Sequence, residues 1–189
     1  RRGDTEFIAF AALLMMATAL SVDILLPAFG DIRSDFGLAD DSTEVALTIT
    51  FLFLGIALGM PLYGPLADAW GRKPVLVLGM ALYGIGALGS ALAPSMPWLV
   101  GFRILWGFGG AAPRTLAQAM VRDRFEGDDL ARAMGLIQTV FFMGPVIAPL
   151  LGAGLVAVGS WRLTMAVGVV IATIAVLWSA RLPETLPAD

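Results

Sequence analysis

"GPLADAWGRKPVL", residues 64–76, sets Asp68, Arg72 and Lys73, two glycines and two prolines between stretches that are almost wholly apolar. The surroundings explain the contrast. Of 189 residues, 58% are hydrophobic and 14% charged, whereas a soluble domain carries about 25% charged residues. The apolar residues come in blocks of roughly 20, the length that crosses about 30 Å of hydrocarbon at 1.5 Å per residue. Six such spans are expected, approximately over residues 7–28, 44–63, 74–94, 97–121, 130–157 and 161–181. Residues 1–189 therefore read as one six-helix transmembrane bundle, an all-α membrane protein in a lipid bilayer. In that frame residues 64–73 form a Gly-rich basic linker, residues 29–43 an acidic one and residues 122–129 a densely charged one.

The charges give an orientation. Arg1, Arg2, Arg72, Lys73, Arg122, Arg124, Arg132 and Arg181 fall on one side, and only Arg33 and Arg162 on the other. Lysine and arginine accumulate in cytoplasmic loops, so both termini and the 64–76 segment are expected to be cytoplasmic. The first span follows Arg1 and Arg2 as a secretory leader would. It carries Asp23 and Pro27 and lacks a small-residue cleavage site, so a retained helix is expected.

Composition also narrows the chemistry. There is no cysteine and no histidine, which removes thiolate and imidazole ligands, so no metal site and no cofactor are expected. Proton chemistry then falls to carboxylates. No nucleophile–base pair lies within the spans, which argues against an enzyme. The basic residues form no face with aromatic neighbours, which argues against nucleic acid as a partner.

Three spans carry residues that are costly or unusual in hydrocarbon. The fourth, "GFRILWGFGGAAPRTLAQ", holds Arg103 and Arg114. They are eleven residues apart, so at about 100° per residue they share one face about 16 Å apart, with Gly107 and Gly110 between them. An arginine inside a span is expected to face protein or water. That stripe is a candidate substrate cavity, the alternative being arginines that snorkel or brace neighbouring helices. Asp23 is the only carboxylate deep in any span, about 24 Å along the first from Phe7. Asp23 and Arg103 lie at similar depth and could share a central cavity, as an ion pair or as separate polar contacts. The fifth span carries Gly144, Pro145, Pro149, Gly152 and Gly154 in "FFMGPVIAPLLGAG". Prolines bend a helix, and small residues admit a close neighbour. Met15, Met16, Phe51, Phe53, Phe141, Phe142 and Met143 would suit a greasy pocket but equally suit lipid contact or packing between helices.

The 64–76 segment resembles the signature between the second and third spans of the major facilitator superfamily. That signature is Gly, small, Leu, small, Asp, two variable positions, Gly, Arg, then Arg or Lys. Gly64, Leu66, Asp68, Gly71, Arg72 and Lys73 match, with Ala69 where a basic residue is common. The resemblance implies a cytoplasmic gate, with Gly64 and Gly71 shaping a tight loop and Pro74 opening the third helix. Asp68 would accept hydrogen bonds from the helix-start amides, and Asp123 would be the acidic partner of Arg72. Arg103, Gly107 and Gly109 resemble the fourth-span motif, in which Trp106 replaces a glutamine. Gly144, Pro145, Pro149 and Gly152 resemble the fifth-span antiporter motif, with Ala153 departing from it. "LPETL", residues 182–186, resembles the exit from the sixth span. Asp23 and Pro27 match the Asp-x-x-x-Pro pattern of the branch that includes bicyclomycin- and chloramphenicol-resistance drug:proton antiporters.

The resemblance implies two three-helix repeats and a bacterial cytoplasmic membrane protein exporting a small amphipathic substrate against protons. Asp23 would be the protonatable residue, with Arg103 tuning it. The alternatives are a metabolite symporter or facilitator, with Arg103 and Arg114 binding an anion, and a non-transporting membrane scaffold. Members have twelve spans with the substrate site between two halves. This chain is expected to be the N-terminal half, partnered by a second six-helix half or by a homodimer mate.

Overall fold

The computed structural model describes residues 2–185. Arg1, counted above among the charges, and Leu186, the last residue of "LPETL", lie outside them. The described chain is helical throughout: α1 Arg2–Asp23, α2 Phe29–Asp35, α3 Leu47–Trp70, α4 Arg72–Ala91, α5 Met96–Arg124, α6 Gly127–Val158 and α7 Trp161–Ser179, with short 3-10 turns at Leu26–Ala28 and Glu44–Ala46. The expected spans correspond to α1, α3, α4, α5, α6 and α7. They form two triplets, α1/α3/α4 and α5/α6/α7. The second helix of each triplet packs on the first helix of the other, α3 on α5 and α6 on α1, while the third helices, α4 and α7, pack together.

Several boundaries differ from expectation, each for a physical reason. The first span was expected to reach residue 28, but α1 stops at Asp23 because Pro27, in the following turn, cannot donate to an α-helical ladder. The acidic linker 29–43 contains a real helix, α2, whose Ile32 is fully buried. The linker expected over 64–73 is almost absent. Helix α3 runs to Trp70, with Pro61 and Pro65 inside it, and α4 starts at Arg72. Gly64 is therefore a helical residue with nothing within 4 Å of where a Cβ would sit, and it shapes no turn. Gly71 alone makes the turn, at φ 96°, a conformation that disfavours any residue with a Cβ. The charged stretch 122–129 is likewise taken up by the last turn of α5 and the first turn of α6.

Five of the six long helices are apolar enough by length and composition to cross a membrane, and α5 is the exception. Its place in the bundle explains why. It lies against α3, α4 and α1, so most of its surface meets protein and the cost of its polar residues is not set by lipid. Glycines let neighbouring backbones touch it. A Cβ on Gly107 would strike the Leu52 carbonyl of α3, one on Gly55 the Ile104 carbonyl, and one on Gly109 the backbone of Tyr83 in α4. Such approaches replace bulk with dispersion contact over a long interface. Helix α6 is the opposite case. Only Gly144, Ala148 and Gly152 and their neighbours press on α1, and Phe142, Val146, Leu150 and Val158 are exposed.

The start of α1 and the end of α7 lie at one end of the bundle, here the terminal face; the distal face is opposite. At the distal face Arg162 bonds Asp35 and the Ala93 carbonyl, and Trp161 Nε1 donates to Asp35 Oδ2 at 2.9 Å, tying α2 and the end of α4 to the start of α7.

The interlock predicts a paired outcome. Gly107→Ala should cost about 1–3 kcal/mol, because backbone must shift to admit the methyl. Gly101→Ala, with nothing within 4 Å, should be neutral or stabilise by up to about 1 kcal/mol through helix propensity. Thermal unfolding in detergent followed by fluorescence measures both, and equal melting temperatures would discard the interlock.

Candidate functional site

Helices α1, α3, α5 and α6 line an open-sided cavity of about 290 Å³ bordered by Thr18, Val22, Asp23, Phe53, Ile56, Arg114, Phe141 and Pro145, with Ala19 at its wall. Its two charged residues come from opposite ends. Thr18 Oγ1 donates to the Gly110 carbonyl at 3.1 Å, which fixes the register of α1 against α5. From that level Asp23 is five residues toward the distal face and Arg114 four residues toward the terminal face. At 1.5 Å per residue their backbones are roughly 13 Å apart along the bundle. The Arg114 guanidinium lies over the Phe141 ring, 4.8 Å from its centroid, and Arg114 also reaches a second groove running past Gly64, Asp68, Gln118 and Arg122. Among the described residues neither Asp23 nor Arg114 has an ion-pair partner.

Arg103 is not in this cavity, so the expected meeting with Asp23 does not occur. It is fully buried. Its Nη1 donates to the Ser21 carbonyl at 3.1 Å and its Nε to the Thr48 carbonyl at 3.3 Å, while the guanidinium sits 4.9 Å from the Trp106 ring centroid. The break after Asp23 is the cause. Helix α1 ends there, leaving carbonyls of its last turn without intrahelical donors, and Arg103 satisfies one. Ser21 and Asp23 are two residues apart and so point about 200° apart around α1. An arginine on the Ser21 side therefore cannot reach the Asp23 carboxylate. Arg103 Nη2 has no hydrogen-bond partner among the described residues.

Gly107 and Gly110, expected to line a cavity, are contact surfaces instead. Gly107 admits α3, and Gly110 lies beside Tyr83 and supplies the carbonyl that Thr18 bonds. Trp106, in place of the expected glutamine, is a packing hub. Its indole stands edge-on to Tyr83 at 5.6 Å, and Gly86 and Gly168 make room for it. In α6, Gly144 faces Ala19 and Gly152 the Ile24 carbonyl, Pro145 lines the cavity and Pro149 is half-buried. Phe53 and Phe141 are cavity residues, while Met15 is core and Phe142 and Met143 face outward.

The gate candidates cluster at the terminal face. Arg72 Nη1 meets Asp68 Oδ1 at 2.6 Å and its Nε meets Asp123 Oδ2 at 2.9 Å, bridging α3, α4 and α5. Asp68 does not cap the helix as expected. The amides of Arg72 and Lys73 are bound instead by Glu184, at 3.1 Å to each carboxylate oxygen. Glu184 approaches because Gly71 has no side chain: a Cβ there would come within 2.9 Å of Oε2. Lys73 Nζ reaches the carbonyls of Ala180 and Leu182 beyond α7, and Arg124 bonds Asp4 at 2.9 Å. Sequence reasoning passed over Glu184 and the Arg124–Asp4 pair. The glutamate was visible in "LPETL", but only the folded chain brings it 112 residues back to Arg72. Thr18 was also missed, although a hydroxyl on an apolar helix face was a usable sign. No cluster of three metal-ligating side chains occurs among the described residues.

Burial ranks the two carboxylates on Arg72. The Asp123 side chain is 15% exposed and that of Asp68 65% exposed. Asp123→Ala should therefore lower stability by about 1–3 kcal/mol, since it leaves a largely buried arginine short of its inner partner. Asp68→Ala should cost no more than about 1 kcal/mol, as exposed pairs do. Thermal melts of both variants in detergent check the order, and a larger effect at Asp68 would overturn it.

The profile of the Major Facilitator Superfamily matches residues 11–189. A bicyclomycin resistance protein homolog of Haemophilus influenzae is 33% identical over 183 residues, covering 95% of this chain and 45% of that protein. An uncharacterised MFS-type transporter of Bacillus subtilis is 33% identical over 190 residues, covering 97% of this chain and 47% of its own. Among solved structures, a D-xylose–proton symporter superposes with a TM-score of 0.83 at 16% identity, covering 96% of this chain and 48% of that one, a likeness of fold alone. The chain spans about half the length of the curated relatives it matches.

Proposed function

The chain belongs to the Major Facilitator Superfamily, and on that footing we propose that it is the N-terminal half of a proton-coupled exporter of small amphipathic molecules. The single observation that carries this reading is the cavity between α1, α3, α5 and α6, which joins one carboxylate, Asp23, to an aromatic and aliphatic wall. A carboxylate set in such a wall can exchange a proton for a substrate, because its charged form is costly without a partner. The resistance-named homologue supports export of drug-like compounds as the direction.

In this cycle the chain is an integral membrane protein of the bacterial cytoplasmic membrane with both termini inside. A second six-helix half, on a continuing chain or a homodimer mate, completes the site across the open side of the cavity. Asp23 takes a proton from the outer side and yields it inward when substrate binds from the cytoplasm. Arg103 acts as a positioning residue. By holding the Ser21 carbonyl it braces the last turn of α1, which Pro27 ends, and so steadies Asp23. Arg114, across the cavity, is the charged group that faces Asp23; no other charged side chain lines the cavity among the described residues. At the terminal face Gly71, Arg72, Lys73, Asp68 and Asp123 form the cytoplasmic gate, and Glu184 ties it to the exit from α7. Alternating access requires two bundles to rock about a shared site, so the six helices alone bind without completing transport.

Asp23→Asn in the complete transporter, reconstituted in liposomes with an imposed pH gradient, should abolish gradient-driven substrate exchange while leaving gradient-independent equilibration measurable. Substrate accumulation at wild-type rates with Asn at this position would remove the proton-coupling role.

A further inference from the structure

We propose that the cavity selects zwitterionic amphipaths, with a cationic group held by Asp23 and an anionic group held by Arg114. The inference deepens the transport reading above and rests on it for the location of the substrate. Its basis is charge balance. The cavity holds one acid and one base at opposite ends, and neither has an ionic partner among the described residues. The wall between them is Val22, Phe53, Ile56, Phe141 and Pro145. Both side chains are half-buried between apolar walls, where an unpaired charge is less well solvated than at an open surface. A monocation pairs Asp23 and strands Arg114, a monoanion does the reverse, and a neutral compound strands both. A zwitterion of suitable length pairs both at once.

Geometry favours this arrangement. The two residues form no ion pair among the described residues, and their backbones are roughly 13 Å apart along the bundle. Arg114 lies over Phe141 with its guanidinium 4.8 Å from the ring centroid. None of the hydrogen bonds among the described residues engages the Arg114 guanidinium, whose N–H groups can bind a carboxylate bidentately. Phe53 and Phe141 give an aromatic scaffold surfaces to lie against. The cationic end of the ligand then occupies the carboxylate that otherwise takes the proton, so substrate and proton compete for one group, as exchange requires.

A matched ligand series tests this on the complete transporter in detergent, by calorimetric titration. The probes are para-aminopropyl benzoate, a zwitterion, its methyl ester, a cation, and its N-acetyl derivative, an anion. The zwitterion should bind at least about tenfold more tightly than either relative. Arg114→Gln should erase its advantage over the ester, Arg114→Lys should keep most of it, and Asp23→Asn should erase its advantage over the N-acetyl form. Equal binding of the three probes to the unsubstituted protein overturns the proposal without reliance on any variant, as does an unchanged zwitterion-to-ester ratio in folded Arg114→Gln. If charge selection is absent while Asp23→Asn still abolishes exchange, the ligand class falls and the antiporter reading stands. If charge selection holds while exchange survives Asp23→Asn, the antiporter reading falls and the binding site stands.

Discussion

The structure depends on how closely other backbones approach α5. Gly107 and Gly109 on α5, with Gly55 on α3 and Gly79 and Gly86 on α4, remove the side chains that would keep three helices apart. Once α5 is enclosed on those sides, its environment is protein rather than hydrocarbon. A helix too polar to qualify as a span by composition can then sit at the centre of a membrane bundle. Arg103 follows from the same enclosure. It is buried without a carboxylate, solvated by two backbone carbonyls and a ring face, a substitution that works only where a helix end supplies an unused acceptor.

The two faces of the bundle are held by different chemistry. At the distal face the short α2 that follows the break in α1 is tied to the start of α7 by the Arg162–Asp35 contact. At the terminal face every helix start or end meets a charge. Arg72 joins three helices through two carboxylates, Lys73 and Glu184 bind backbone groups reciprocally across the α4–α7 boundary, and Arg124 holds the start of α1. The middle is mostly apolar, broken by Asp23 and Arg114 in the cavity, by the buried Arg103, and by bonds such as Thr18–Gly110 and Tyr83–Ala17. The ionic contacts at the ends join the two triplets of this bundle, so they hold the six helices together as one unit.

Most of the architecture was legible in the sequence, because twenty-residue apolar blocks separated by charge admit few alternatives. The Arg72–Asp123 contact was legible too, through the spacing of a known signature. What the sequence could not convey was azimuth and termination. Arg103 and Arg114 share a stripe on α5, yet α1 and α3 cover the first and leave the second facing the cavity. Asp23 and Ser21 are near neighbours in sequence and point to opposite sides of α1. The end of α3 was misjudged because the helix runs on past Pro61 and Pro65, and that of α1 because it stops short of Pro27. The Glu184 cap depends on two segments 112 residues apart, a separation that no local pattern encodes.

That cap also bears on the order in which the molecule is built. The amides at the start of α4 emerge from the ribosome long before the carboxylate that binds them. At about 5–20 residues per second the interval over 112 residues is on the order of 6–20 seconds. Through that time the turn at Gly71 has no Glu184 to hold it, and Lys73 lacks the Ala180 and Leu182 carbonyls that it bonds in the finished fold. The arrival of the α7 exit supplies all three. Glu184 thereby acts as a closing stitch, marking the moment at which six separately inserted helices become a single body.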